Sequence, residues 1–209
     1  MEIFIHIPHE KRIRESGILT VVGNDLKESY QFVKTEKPIF FSVVFLISIF
    51  NLILSSVMIV GTPILITQVL KMSDTMYGFT QGALALGGLC GGILTAAIAE
   101  KLKLKNSYIL LLVCAASVAL MGISLMFHIP AILSYWVITL MSFAAMGAST
   151  LFVVQIYTMV QEQTPPQLVG KIMAALISIA MCGQPIGQAI YGVLFDIFES
   201  RTWIVLIVA

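Results

Sequence analysis

Ile39-Phe40-Phe41-Ser42-Val43-Val44-Phe45-Leu46-Ile47-Ser48-Ile49-Phe50-Asn51-Leu52-Ile53-Leu54-Ser55-Ser56-Val57-Met58-Ile59-Val60 opens a run with no Asp, Glu, Lys, Arg or His before Lys71. A bilayer core about 30 Å thick needs roughly 20 helical residues to cross it. The run reaches Gln68 and exceeds that length. In hydrocarbon every backbone polar group must be satisfied within the protein, so a lone apolar run of this length predicts a helix.

The pattern recurs along the chain. Further spans are expected at about 77–99, 107–127, 131–160 and 172–195, each free of Asp, Glu, Lys, Arg and His. Omitting charge matters, because one at a helix centre costs about 2.5–3.5 kcal/mol on insertion scales. Residues 203–209 begin a sixth run that rises only about 10 Å as a helix. The chain is therefore expected to stop inside a membrane segment and to be a fragment.

Composition agrees with this class. Hydrophobic residues make up 58% and charged residues 11% of the 209 positions, and mean hydropathy is +0.97. Soluble domains carry roughly 25% charged residues. A net charge of +1 points to neither nucleic acid nor an acidic substrate. The expected fold class is all-α integral membrane protein.

Two regions follow. Residues 1–37 are polar and mixed in charge, and are expected to form a connector. Asp25 and Glu28 have the spacing of a capping box, and Leu26, Tyr30 and Val33 share one helical face. That predicts a short amphipathic helix at a membrane surface, or else a solvated linker helix, ended by Pro38. Residues 38–209 form the bundle. With the N-terminal segment in the cytoplasm, ten of the twelve basic residues fall on that side: Lys11, Arg12, Arg14, Lys27, Lys34, Lys37, Lys101, Lys103, Lys105 and Lys171. Only Lys71 and Arg201 lie opposite, as the positive-inside rule expects.

Small residues concentrate in the second span, where Gly78/Gly82, Gly87/Gly91 and Gly88/Gly92 are spaced i, i+4. Such spacing lets helix backbones approach closely. It serves static packing or a helix that rocks against a partner, and spacing alone leaves both open. The fifth span contains Gly183-Gln184-Pro185-Ile186-Gly187-Gln188. Proline removes a backbone donor, and such interruptions in membrane helices border cavities. Gln184 and Gln188 serve helix–helix hydrogen bonding or substrate contact. Asn51 and Gln155 are the polar candidates in the first and fourth spans. Eleven methionines, with Phe143, Phe152 and Tyr157, suit either a surface for varied apolar ligands or ordinary membrane filling.

Catalytic chemistry finds little support. His6, His9 and His128 lie near or beyond span ends, and Cys90, Cys114 and Cys182 sit in apolar runs without metal-ligand spacing. No HExxH, GxSxG or Walker loop occurs. No enzyme activity, metal or cofactor is expected.

Three stretches carry a family resemblance. Asp25-Leu26-Lys27-Glu28-Ser29 through Glu36-Lys37-Pro38 resembles the cytoplasmic connector before the seventh helix of the major facilitator superfamily, in its bacterial drug- and macrolide-efflux-like branch. Thr164-Pro165-Pro166-Gln167-Leu168-Val169-Gly170-Lys171 resembles the turn between helices ten and eleven, with Lys171 in place of the usual Arg. Pro185-Ile186-Gly187-Gln188 with Tyr191 to Asp196 resembles helix eleven. The resemblance implies half of a twelve-helix bundle, helices seven to eleven plus the start of twelve, in the bacterial cell membrane. It implies a small-molecule substrate, the lipid bilayer and a missing N-terminal half as partners. It places Asn51 and the middle of the fourth span, with Gly147, Ser149 and Thr150, near substrate, and the glycine-rich second span and Gly183 to Gln188 at the interface between rocking halves; Gln155, further along the fourth span, is a cavity candidate on its polarity alone. Lys101, Lys103 and Lys105 take the place of a gate-loop motif but lack its Asp and Gly.

The implied function is secondary active transport by alternating access, with efflux of small amphipathic compounds. Proton coupling would come through the missing half, because no titratable Asp, Glu or His lies within these spans. The alternative is a membrane scaffold or assembly subunit, in which the glycine stripes only bind partner helices.

Overall fold

A computed structural model of the chain describes residues 23, 27, 30–98, 107–127 and 129–209. Asp25, Glu28, the loop lysines Lys101, Lys103 and Lys105, and the histidines His6, His9 and His128 lie outside the described residues. Among the described residues every regular element is helical.

Among the described residues five helices are long and apolar enough to cross a membrane: α1 (Ile39–Val69), α2 (Asp74–Ile98), α3 (Ser107–Met126), α4 (Ala131–Glu162) and α5 (Val169–Ile197). A short α6 (Thr202–Val208) follows. The helices run a few residues past the apolar stretches, so Asp74, Glu162 and Lys171 sit in terminal turns. Placing charge there lets it reach the headgroup region while the centre stays uncharged. Prolines punctuate the starts. The carbonyl of Pro130 accepts from the amides of Leu133 and Ser134, and that of Pro165 from Leu168 and Val169. At the end of α4, the Thr164 hydroxyl donates to the Val160 carbonyl at 2.6 Å, satisfying an end group that would otherwise lack a partner.

Small residues set the helix pairing. α2 and α4 run parallel, with Gly87 against Phe143 and Gly91 against Gly147. A methyl group at Gly87 would collide with the Phe143 carbonyl, and one at Gly91 would come within 2.6 Å of the Gly147 carbonyl oxygen. Higher in the same seam, the hydroxyls of Thr80 and Thr139 meet at 2.9 Å, and Tyr135 donates to the Met76 carbonyl at 3.0 Å. α1 and α5 pair by the same device: Gly183 lies against the Ser48 carbonyl and Gly187 against that of Leu52. α3 runs antiparallel to α4, held by Ser107 to Gln155 at one end and Ser134 to Ser124 at the other. α6 lies on α3, where Gly122 leaves room for Leu206 and Ile207.

The core collects Phe40, Ile47, Phe152, Leu176 and Phe195 between α1, α4 and α5, with Phe50 and Phe152 ring centroids 5.1 Å apart. Outward faces carry large apolar side chains, Phe45, Phe79, Leu89 and Ile93 among them, each more than three-fifths exposed. Water would penalise such a surface, and lipid does not.

α1 departs from a plain α-helix. Past Phe50 it widens into π-helical turns at Asn51–Ser55, Val57–Gly61 and Ile64–Val69. Wide turns displace carbonyls from their usual partners, and side chains attend to several of them. The Asn51 amide donates to the Ile47 carbonyl at 3.1 Å, Ser56 to that of Asn51 at 3.2 Å, and Thr67 to that of Pro63 at 2.8 Å.

Candidate functional site: a groove between four helices

Beside the wide turns of α1, a groove of about 460 Å³ lies between α1, α2, α4 and α5. Its walls are apolar, with Leu54, Met58 and Ile59 from α1, Leu84 and Ala85 from α2, and Ala145 and Met146 from α4. Five polar side chains interrupt them: Ser55, Tyr77, Gln81, Ser149 and Gln184. Apolar walls with a few fixed polar groups are the usual build of a small-molecule site.

Those five groups divide by what they already hold. Ser55 donates to the Asn51 amide oxygen at 3.1 Å. Gln81 donates from its amide to the Tyr77 hydroxyl, one turn earlier on α2. The side chains of Ser149 and Gln184 have no hydrogen-bond partner among the described residues. Ser149 and Gln184 come from different helices, so a ligand in the groove could be held from two walls.

Ser149 and Gln184 line the groove. Asn51 stands one turn behind the wall, its amide engaged with Ile47 and Ser55. Gly147 and Thr150 lie in the α2–α4 seam, where Thr150 packs against Gly91 and donates to the Met146 carbonyl. Gln155 is buried between helices and accepts from Ser107 at 2.9 Å. Gly87, Gly91, Gly183 and Gly187 are packed within this bundle, and Gly88 faces Met146 and Thr150. Nothing lies within contact distance of a methyl group placed at Gly78, Gly82 or Gly92. Pro185 sits inside an otherwise continuous α5, and Gln188 is half-buried on the turn after it. Pro165, Pro166 and Gly170 are exposed at the α4–α5 turn, and Lys171 is half-buried there.

The sequence reading passed over Tyr77, Gln81 and Ser55. Tyr77, Gln81 and Leu84 are spaced i, i+4, i+7, so one face of the second span already carried that half of the groove. Ser55 gave less signal, since serine in a membrane helix usually bonds its own backbone.

The family model for the Major Facilitator Superfamily matches residues 6–188, nearly the whole of α1 to α5. The chain belongs to the Major Facilitator Superfamily. No significant match to a curated protein or a solved structure was found. As a major facilitator protein it is a multi-pass membrane protein of a transporter family, and its groove is open to small molecules between membrane-spanning helices. Among the described residues no carboxylate, histidine or cationic side chain lines that groove. It can grip a ligand by apolar contact and by neutral hydrogen bonds.

Proposed function

We propose that this chain supplies one half of a secondary active transporter that exports small amphipathic compounds by alternating access. The observation that carries the proposal is the groove itself, with apolar walls on three helices and two spare polar groups, Ser149 and Gln184, among the residues that line it. A compound with a large apolar body and one or two hydrogen-bonding groups fits those walls, and Met58 and Met146 adapt to varied shapes. Alternating access needs a second bundle across the groove, since substrate in this kind of fold binds between repeats near the midplane. The open small-residue face at Gly78, Gly82 and Gly92 suits a partner helix that must slide closely past. Proton coupling is assigned to that second half, because a coupling site needs a partly buried titratable group and no Asp, Glu or His among the described residues lines this groove. The N-terminal segment is placed in the bacterial cytoplasm on the charge asymmetry of the loops.

Co-expression tests the proposal. A host lacking its own efflux pumps should accumulate less of a fluorescent amphipathic dye when it makes this chain with a complementary six-helix half than with either alone. Dissipating the proton gradient should remove the difference. Dye accumulation unaffected by the pair, or dye transport by this chain alone in proteoliposomes, would contradict it.

A further inference from the structure

A second cavity lies at the end of the bundle where residues 30–35 meet the starts of α1 and α5. It holds about 290 Å³, and Tyr30, Val33, Phe41, Ala175, Leu176 and Ile179 are among its walls. The lining is hydrocarbon apart from the Tyr30 hydroxyl. Tyr30 and Ile179 are each more than half exposed, so the cavity opens on the outer surface of the bundle. The Tyr30 ring stands edge-on to Phe41 at 5.8 Å and props the mouth.

Two lysines stand at this end of the bundle, and the exposed Glu36 between them in sequence is paired with neither. The Lys34 ammonium lies 5.9 Å from the centre of the Tyr30 ring. Lys37, one turn before Phe41, reaches Gln163 at 3.4 Å in an exposed contact. Neither lysine is paired with a carboxylate among the described residues.

From this arrangement we infer that the cavity holds part of one acyl chain of an anionic phospholipid, with its phosphate held by Lys34 and Lys37. Charge complementarity selects the occupant. A pocket whose one side-chain hydrogen-bonding group among the described residues is the Tyr30 hydroxyl would strand most of the backbone of a bound peptide, which costs several kcal/mol per buried polar group. An acyl chain loses nothing there, and its headgroup emerges where the lysines stand. The volume is at the low end of small-molecule sites, roughly 300–1,000 Å³, so it admits a length of chain and leaves the headgroup outside. The inference needs only that the helices lie in a bilayer, and it stands apart from the transport proposal.

The full chain in phosphatidylcholine nanodiscs, doped with phosphatidylglycerol carrying a photoactivatable acyl chain, provides the test. Label should fall on residues 30–44 and 172–179. Unlabelled phosphatidylglycerol should compete for it better than phosphatidylcholine. Two lysines near a lipid surface are worth about thirtyfold in affinity, so K34Q/K37Q should weaken that competition by about this factor. Ala175→Phe, which fills the cavity, should abolish the label, and K34Q/K37Q, confined to the rim, serves if that variant does not fold. Label spread evenly over other lipid-facing stretches, equal competition by phosphatidylcholine, or unchanged competition in K34Q/K37Q would each overturn the inference. Failure of dye transport would leave it untouched.

Discussion

The hydroxyl of Ser56 on α1 donates to the backbone carbonyl of Gln184 on α5 at 3.0 Å, and Ser56 is fully buried. Gly187 makes this possible, because any side chain there would strike both the Ser56 hydroxyl and the Leu52 carbonyl. A wide turn of α1 is thereby tied to the stretch of α5 that carries the groove's free amide. Ser56→Ala should lower stability by about 0.5–1.5 kcal/mol. Thermal unfolding in detergent would show it as a fall in the midpoint, with α-helical content unchanged at low temperature.

The glycines of α2 should respond very differently to one substitution. Gly87→Ala and Gly91→Ala place a methyl group against a backbone carbonyl, which cannot move aside as a side chain could. Overpacking of this kind costs about 1–3 kcal/mol. Gly82→Ala and Gly92→Ala meet open space and gain about 1 kcal/mol from helix propensity. Melting curves of the four variants separate the two pairs. Equal effects at Gly87 and Gly82 would mean that the α2–α4 seam is misplaced.

Ser142 on α4 is fully buried, and its hydroxyl has no partner among the described residues. An unmade hydrogen bond in a buried site costs about 1–3 kcal/mol. Ser142→Ala is expected to raise the unfolding midpoint or leave it unchanged, opposite in sign to Ser56→Ala. A clear loss of stability on that change would reveal a bonded hydroxyl.

Within the groove, Gln184→Leu keeps the volume and removes the amide, while Ser149→Ala removes the hydroxyl. Each should weaken binding of a hydrogen-bonding amphipathic dye by about 0.5–1.5 kcal/mol, or roughly twofold to twelvefold in Kd. A purely apolar dye should bind both variants as it binds the parent. Fluorescence titration of the chain in nanodiscs distinguishes the two ligands.

The helical class and the places of all five spans could be read from the chain, because lipid writes its demand directly as uncharged runs of the required length. Gly87 and Gly91 could be read as close-approach positions, because helix backbones meet where small residues recur at i, i+4, while Gly183, expected beside a proline interruption at the interface between halves, packs on the Ser48 carbonyl of α1 inside this bundle. Which neighbour each one faces could not be read, since spacing fixes a face and leaves the partner open. Asn51 shows a second gap. An amide at mid-span wants a bond, and sequence does not say whether its own helix supplies it. Here its own helix offers the Ile47 carbonyl one turn before it and the Ser55 hydroxyl one turn after it. Gln155 likewise meets Ser107, a contact between residues 48 positions apart that no local pattern announces.

Membrane crossing by α1 and α4 is the claim on which the rest depends, and sidedness of labelling tests it directly. In a chain with Cys90, Cys114 and Cys182 replaced by alanine, single cysteines at Lys71 and Gln163 would be exposed to a membrane-impermeant maleimide in intact cells. The account predicts that Lys71→Cys reacts from outside, and that Gln163→Cys, at the Lys37 end of the bundle, reacts only after the cells are opened. Reaction of both positions from the same side of the intact membrane would contradict it.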